Sequence, residues 1–215
     1  MIKIKQFVFN HFQTNCYLLY DEESRECAII DPCAEASYED SVMDQYVATN
    51  GLSVKYLLLT HAHVDHLAGV RHACDTYHLP VSLHRDGLPF LYQAPVYAGP
   101  MGFDLSDLGS VECSLIHEGT RLALGKGEIE CREVPGHLVG SMAFVLHAEK
   151  HVVTGDALFC GSIGRTDLPG GSFDQLLTSI RERLLVLDDD YVVMPGHGEF
   201  STIGDERNNP FMFEY

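Results

Sequence analysis

Basic side chains are scarce: 14 Lys and Arg stand against 31 Asp and Glu, giving a formal net charge of −17 at pH 7. Such a field repels phosphate backbones and anionic lipid headgroups, so neither nucleic acid nor a membrane surface is expected as a partner. Long apolar runs are missing as well. No stretch nears the roughly 20 residues that cross a bilayer, and the opening Met-Ile-Lys-Ile-Lys-Gln-Phe-Val-Phe alternates like a half-buried strand instead of forming the apolar centre of an export signal. The seven cysteines, at positions 16, 27, 33, 74, 113, 131 and 160, are odd in number and contain no Cys-x-x-Cys pair. That pattern argues against a disulfide framework or a cysteine zinc site and for reduced thiols in the cytoplasm. A Gly-x-Ser-x-Gly elbow is also absent, and Cys160 is expected to be a packed thiol and not a nucleophile.

What is present is enough apolar material for a core. With 215 residues and 46% hydrophobic content, one compact domain over residues 1–215 is expected. Strands are read at 2–9, 16–20 and 27–31, then a helix over 37–48 with Tyr38, Val42, Tyr46, Met43 and Val47 on one face and Asn50-Gly51 as its stop. A buried strand at 54–59 leads through a histidine-rich loop to a helix over 66–78. The Pro- and Gly-rich stretch 87–109 reads as a short helix and a long loop. Further strands follow at 121–124, 127–134, 141–147 and 151–154. A helix then opens at Ser172, with Ser172 and Gln175 spaced as a capping box, and a strand lies at 191–194. Interleaved strands and helices indicate an α/β layered fold.

The chemistry is concentrated in Thr60-His61-Ala62-His63-Val64-Asp65-His66, where a buried strand ends and a helix begins. In extended backbone, residues two apart point the same way, so His61 and His63 can grip one ion. Asp65 and His66, at the turn into the helix, are free to serve a second. Three more apolar runs end in a glycine and a ligand-type residue: Gly136-His137, Gly155-Asp156 and Gly196-His197. Glycine there permits the tight turn that aims the next side chain over a sheet edge. Imidazoles and carboxylates without thiolate suit Zn(II), Fe(II) or Mn(II), and seven such ligands exceed the needs of one tetrahedral ion. Two divalent ions, zinc first among them, are therefore expected. His11, His72, His78, His84, His117, His147 and His151 lack ligand spacing and are read as ordinary surface or core residues.

These motifs resemble the metallo-β-lactamase superfamily and, within it, the glyoxalase II-like hydrolases. The likeness spans almost the whole chain. It includes Thr14-Asn15-Cys16-Tyr17, Asp31-Pro32, the Thr60 to His66 run, Pro135-Gly136-His137 with Gly140-Ser141, and Gly155-Asp156. It continues through Gly161-Ser162-Ile163-Gly164-Arg165-Thr166-Asp167, Pro195-Gly196-His197-Gly198 and Glu206-Arg207-Asn208-Asn209-Pro210-Phe211. The resemblance implies an αββα four-layer sandwich with metals at one edge of two sheets. It puts His61, His63 and His137 on a first metal, Asp65, His66 and His197 on a second, and Asp156 between them. It also implies that Asp31 orders the metal loop from behind, and it makes Asp65 the catalytic carboxylate. Leu138-Val139 and Cys33 depart from the family pattern without touching a ligand position.

Two cations lower the pKa of a shared water, so the expected reaction is attack of a bridging hydroxide on a thioester or ester carbonyl, an S-acylglutathione-like substrate foremost. Arg165 is read in two ways, as a contact for a substrate carboxylate or as a loop-ordering partner of Asp167 or of a backbone carbonyl. The chief alternative is a mononuclear iron persulfide dioxygenase, which shares this fold and a similar histidine run; a lactonase or a non-catalytic metal protein comes after it.

Overall fold

The computed structural model describes residues 1–209; Pro210 and Phe211 of the C-terminal motif lie outside the described residues. Two six-stranded sheets form the centre. The first begins as an antiparallel meander of β1 (Ile2–Phe9), β2 (Thr14–Asp21) and β3 (Glu26–Ile30). It continues in parallel through β4 (Ser53–Leu58), β5 (Val81–His84) and β6 (Cys113–Ile116). Parallel neighbours need crossovers. These are supplied by α1 (Ser37–Thr49), by α2 (Val64–Leu67) with α3 (Val70–Tyr77), and by α4 (Leu88–Ala98).

The second sheet repeats the plan. A meander of β7 (Arg121–Leu124), β8 (Gly127–Glu133), β9 (Met142–Leu146) and β10 (His151–Gly155) precedes a small hairpin, β11 (Leu158–Phe159) and β12 (Ser162–Ile163). After α5 (Phe173–Ser179), β13 (Val192–Pro195) joins β10 in parallel, and β14 (Ser201–Thr202) with α6 (Ile203–Arg207) completes the order β14-β13-β10-β9-β8-β7.

Period-two alternation sorts the strand residues into three cores. Tyr17, Leu19, Ala28, Ile30 and Leu58 of the first sheet meet Ile129, Met142, Phe144, Val153 and Met194 of the second. On the opposite faces, Cys16, Leu18, Cys27, Ile29 and Leu57 pack under the first helices, and Ala143, Val145, Val152 and Val193 pack under α5. This is the expected αββα sandwich.

Several local expectations are corrected. Helix α1 buries Met43 and Val47, while Tyr38 and Val42 face solvent; Glu39 takes the inner side because its carboxylate accepts the Asn10 and Glu35 backbone N–H groups. The helix read over 66–78 starts earlier and is broken at Gly69, whose N–H donates to the Pro32 carbonyl at 2.9 Å. A Cβ there would sit 2.9 Å from Ala34 N and 3.0 Å from Pro32 O. Strands β5 and β6, not anticipated, are four residues each and carry too short a pattern to register. The Ser172 cap forms, with Oγ accepting from Gln175 N, and the helix continues past α5 as a π-helical turn over Ile180–Leu184. Cys160 is exposed at the tip between β11 and β12 and is not a packed thiol.

Candidate metal centre

All four ligand-bearing segments leave their strands at one edge of the sandwich. His61 and His63 follow β4, and Asp65 and His66 occupy α2, for which His63 is the N-cap residue, extended at φ −77° and ψ 150°. His137, Asp156 and His197 follow β8, β10 and β13. The glycines before them act for different reasons. Gly136 has φ 134°, and a Cβ on it would lie 2.2 Å from Leu176 N of α5. At Gly196 the constraint is space: a Cβ would fall 2.1 Å from Asp156 Oδ1 and 2.8 Å from His66 Cε1.

The side chains converge as two triads joined by a carboxylate. His63 Nδ1 lies 3.1 Å from His61 Nε2 and 2.8 Å from His137 Nε2. Asp65 Oδ2 lies 3.1 Å from His197 Nε2 and 3.4 Å from His66 Nε2. Between them, Asp156 sets Oδ1 3.3 Å from His66 Nε2 and Oδ2 3.6 Å from both His137 Nε2 and His197 Nε2. Every residue named as a candidate ligand is thus brought into one cluster. None of the seven histidines read as ordinary belongs to it.

The outer nitrogens of four imidazoles are already committed. His66 Nδ1 donates to Asp31 Oδ2 at 2.9 Å, His137 Nδ1 to the Arg165 carbonyl at 2.8 Å and His197 Nδ1 to the Phe12 carbonyl at 3.2 Å. Thr60 Oγ1 donates to Asp31 Oδ2 at 2.7 Å, which leaves its oxygen to accept from His61 Nδ1 at 3.0 Å. With the Nδ1 atoms engaged outward, the Nε2 atoms are the ones turned toward the centre. Asp31, expected behind the metal loop, stands there at φ 51° and also accepts the Thr60 N–H at 2.7 Å.

Charge reinforces the geometry. Burial, together with the neighbouring histidines, pushes His61 well below the ordinary imidazole pKa, and burial followed by His137 lowers His63 to about 4. For Asp65 and Asp156, burial alone would raise the carboxyls, but His66 and His197 overcome it and hold both low. His66 moves up: against its burial, Asp65, Asp156 and Asp31 favour the protonated ring. Against its own burial, His197, beside Asp65 and Asp156, is raised as well, so a cation bound at His66 and His197 would displace protons, because a ligating imidazole must be neutral.

The fit to metal rests on two atoms. His66 Nε2 and Asp156 Oδ1 are buried with no hydrogen-bond partner, an arrangement that is costly unless something else satisfies them. Two divalent cations, one at each triad, would satisfy both and relieve the crowding of three imidazole lone pairs at 2.8–3.1 Å.

Arg165 belongs to this edge in a different way from a free anion site. Its backbone carbonyl holds His137, while its guanidinium makes a two-pronged pair with Asp167, Nε and Nη2 each 2.8 Å from a carboxylate oxygen. Three partners were not anticipated: Asn10, whose Nδ2 donates to the Asp65 carbonyl at 2.9 Å, Thr14, whose Oγ1 donates to Asp65 Oδ2 at 3.0 Å, and Phe12, which acts through its backbone. Thr14 sits in the Thr14-Asn15-Cys16-Tyr17 motif, the one sequence signal pointing to any of them.

Comparison with known proteins agrees with this architecture. The chain is 37% identical to the hydroxyacylglutathione hydrolase GloC of Haemophilus influenzae, over 94% of this chain and 93% of that protein. It is 32% identical to the mitochondrial persulfide dioxygenase of Mus musculus, over 92% of this chain and 70% of that one. Among solved structures, a protein crystallised in a di-iron-bound form superposes with a TM-score of 0.85 at 34% identity, covering 96% of this chain and 99% of its own. A B3 metallo-β-lactamase superposes at 0.83 with 32% identity, covering 98% and 100%. The sequence profile described as Metallo-beta-lactamase superfamily matches residues 10–197. On fold, edge-sited His and Asp cluster and sequence together, the chain belongs to the metallo-β-lactamase superfamily.

Proposed function

We propose that this chain is a two-metal hydrolase of thioesters, with S-acylglutathione-like compounds as the leading substrate class and simpler esters next. His61, His63 and His137 hold the first cation, Asp65, His66 and His197 the second, and Asp156 reaches both; zinc is the metal best matched to this donor set. When bound, such a pair lowers the pKa of a shared water toward neutrality and polarises a carbonyl oxygen. The protein's own part is orientation and proton placement. Asp65 Oδ2, fixed by Thr14 Oγ1, serves as the acceptor that aligns the attacking water, and Asp31 keeps His61 and His66 turned inward. Arg165 meets a substrate carboxylate only by sharing the guanidinium it now gives to Asp167. Placement in the cytoplasm belongs to the same reading, supported by seven free thiols; among the described residues no helix is long and apolar enough to cross a membrane.

The observation that carries the proposal is the second triad. Asp65, His66 and His197 bring ligand atoms within 4.8 Å of one another, as the first three histidines do, whereas a mononuclear iron dioxygenase needs only two histidines and a carboxylate. That second reading keeps its standing from the 32% identity to the persulfide dioxygenase. Thiol release from S-lactoylglutathione separates them. The expected result is turnover that strong chelators abolish and that Asp156→Asn lowers at least 100-fold. Chelator-insensitive hydrolysis, or oxygen uptake on glutathione persulfide without hydrolysis, would overturn the proposal.

A further inference from the structure

The turn between β1 and β2 touches one half of the centre and not the other. Asn10 Nδ2 donates to the Asp65 carbonyl, Thr14 Oγ1 lies 3.0 Å from Asp65 Oδ2, and the Phe12 carbonyl accepts from His197 Nδ1. A single β-bridge joins Thr14 to His197, and Asn15 N donates to the Gly196 carbonyl at 2.7 Å. The first triad is supported elsewhere, through Thr60 and the Arg165 carbonyl.

A turn that carries such contacts must itself be held, and its backbone is not relaxed: Asn10 and Gln13 have φ of 53° and 56°. Asn10 anchors one end, its N–H donating to the Glu39 carboxylate and its Nδ2 to the Cys33 carbonyl, and His11 fastens the middle. Its Nδ1 lies 2.7 Å from Glu35 Oε2 and its Nε2 3.0 Å from the Met101 carbonyl, both oxygens that accept, and this pairing favours the charged ring, with an N–H for each oxygen. The ring also packs on Phe103 at 4.6 Å between centroids and on Phe12 at 4.7 Å. His11 therefore ties the turn to the segment after β3 and to the segment after α4, without being one of the clustered ligands.

We propose that the Asn10–Thr14 turn, latched by His11, sets the affinity of the Asp65–His66–His197 half of the centre for its cation, so that His11 is a positioning residue for the second metal alone. This rests on the two-cation reading above. Partners one layer out from metal ligands alter affinity by about 10–100-fold, and here the effect is confined to one of two adjacent sites because the turn's contacts are.

The test is titration of the metal-free protein with Zn(II), following stoichiometry and both affinities by calorimetry. Two equivalents are expected for the unmodified chain. His11→Ala should leave the first affinity within about twofold and weaken the second by about 10–100-fold, with the urea midpoint of the metal-free protein little changed. His11→Lys, whose ammonium can donate to both oxygens, should restore much of the second affinity. Asn10→Gly, which keeps the positive φ and removes the contact to Asp65, should repeat the His11→Ala pattern and carries the test if His11→Ala does not fold. Two equally tight equivalents in the variants, or equal weakening of both, would overturn this inference alone. A single equivalent in the unmodified chain would overturn the two-cation reading and this one with it.

Discussion

At the scale of single residues, Asp31 shows how much of the centre depends on a side chain that binds no cation. Its carboxylate accepts from Thr60 N, Thr60 Oγ1 and His66 Nδ1, all within 2.9 Å. Asp31→Asn replaces one acceptor oxygen by an NH2 that can only donate and so faces the donors it should receive, and should weaken zinc binding about 10–100-fold while far-UV circular dichroism stays unchanged. Zinc affinity equal to that of the unmodified protein would contradict the role. Cys160 provides a second residue-scale prediction. It is exposed, whereas Cys16, Cys27, Cys33 and Cys131 are buried. A bulky thiol reagent should therefore modify one cysteine first, and Cys160→Ser should remove that fast phase; an unchanged fast phase would show that another thiol is the accessible one. The ligands were legible because His61 to His66 are contiguous and three glycine-ligand pairs repeat the theme. Phe12 and Arg165 were not legible as ligand supports, since each acts through a backbone carbonyl on a histidine far away in sequence. Cys160 was misread because a thiol near a ligand motif has no pattern that distinguishes a core position from a hairpin tip.

Among elements, legibility followed length and pattern. Strand β1 alternates and β2 and β9 are continuous buried runs, patterns that sequence reading can locate, while β5 and β6 are too short. In α1 the four-residue spacing of Tyr38, Val42 and Tyr46 mimics a buried stripe, but the helix turns toward Met43 and Val47 so that Glu39 can meet the backbone of residues 10 and 35. Strand β8 carries a testable electrostatic link. Glu130 contacts His147 Nε2 and accepts from Arg132 Nε at 3.3 Å. Burial opposes its ionisation, yet His147 and Arg132 prevail and its pKa is lowered below 4.5. A carboxyl lowered on folding contributes stability that is fully present above its unfolded pKa and is lost as pH falls through the folded value. The melting temperature of the unmodified protein should exceed that of Glu130→Gln at pH 6, and the gap should close as pH drops below about 4. A gap independent of pH would show that charge is not its source.

For the whole molecule, the arrangement of the sheets explains why the ligands meet. Strands β3, β4, β8, β10 and β13 all run toward one edge and end there at Asp31, the Thr60–His66 run, His137, Asp156 and His197. The layered α/β plan was readable from alternating elements, and the convergence only from the repeated strand-end ligands and the family resemblance, since it depends on how two sheets stack, with Leu58, Phe144, Val153 and Met194 filling the space between them. The central claim is that this edge holds two cations and not one. Elemental analysis of protein saturated with zinc and then dialysed tests it directly. The account predicts two zinc ions per chain, falling to one when Asp65 and His197 are both changed to Ala. One ion per chain in the unmodified protein, undiminished by that double change, would contradict it.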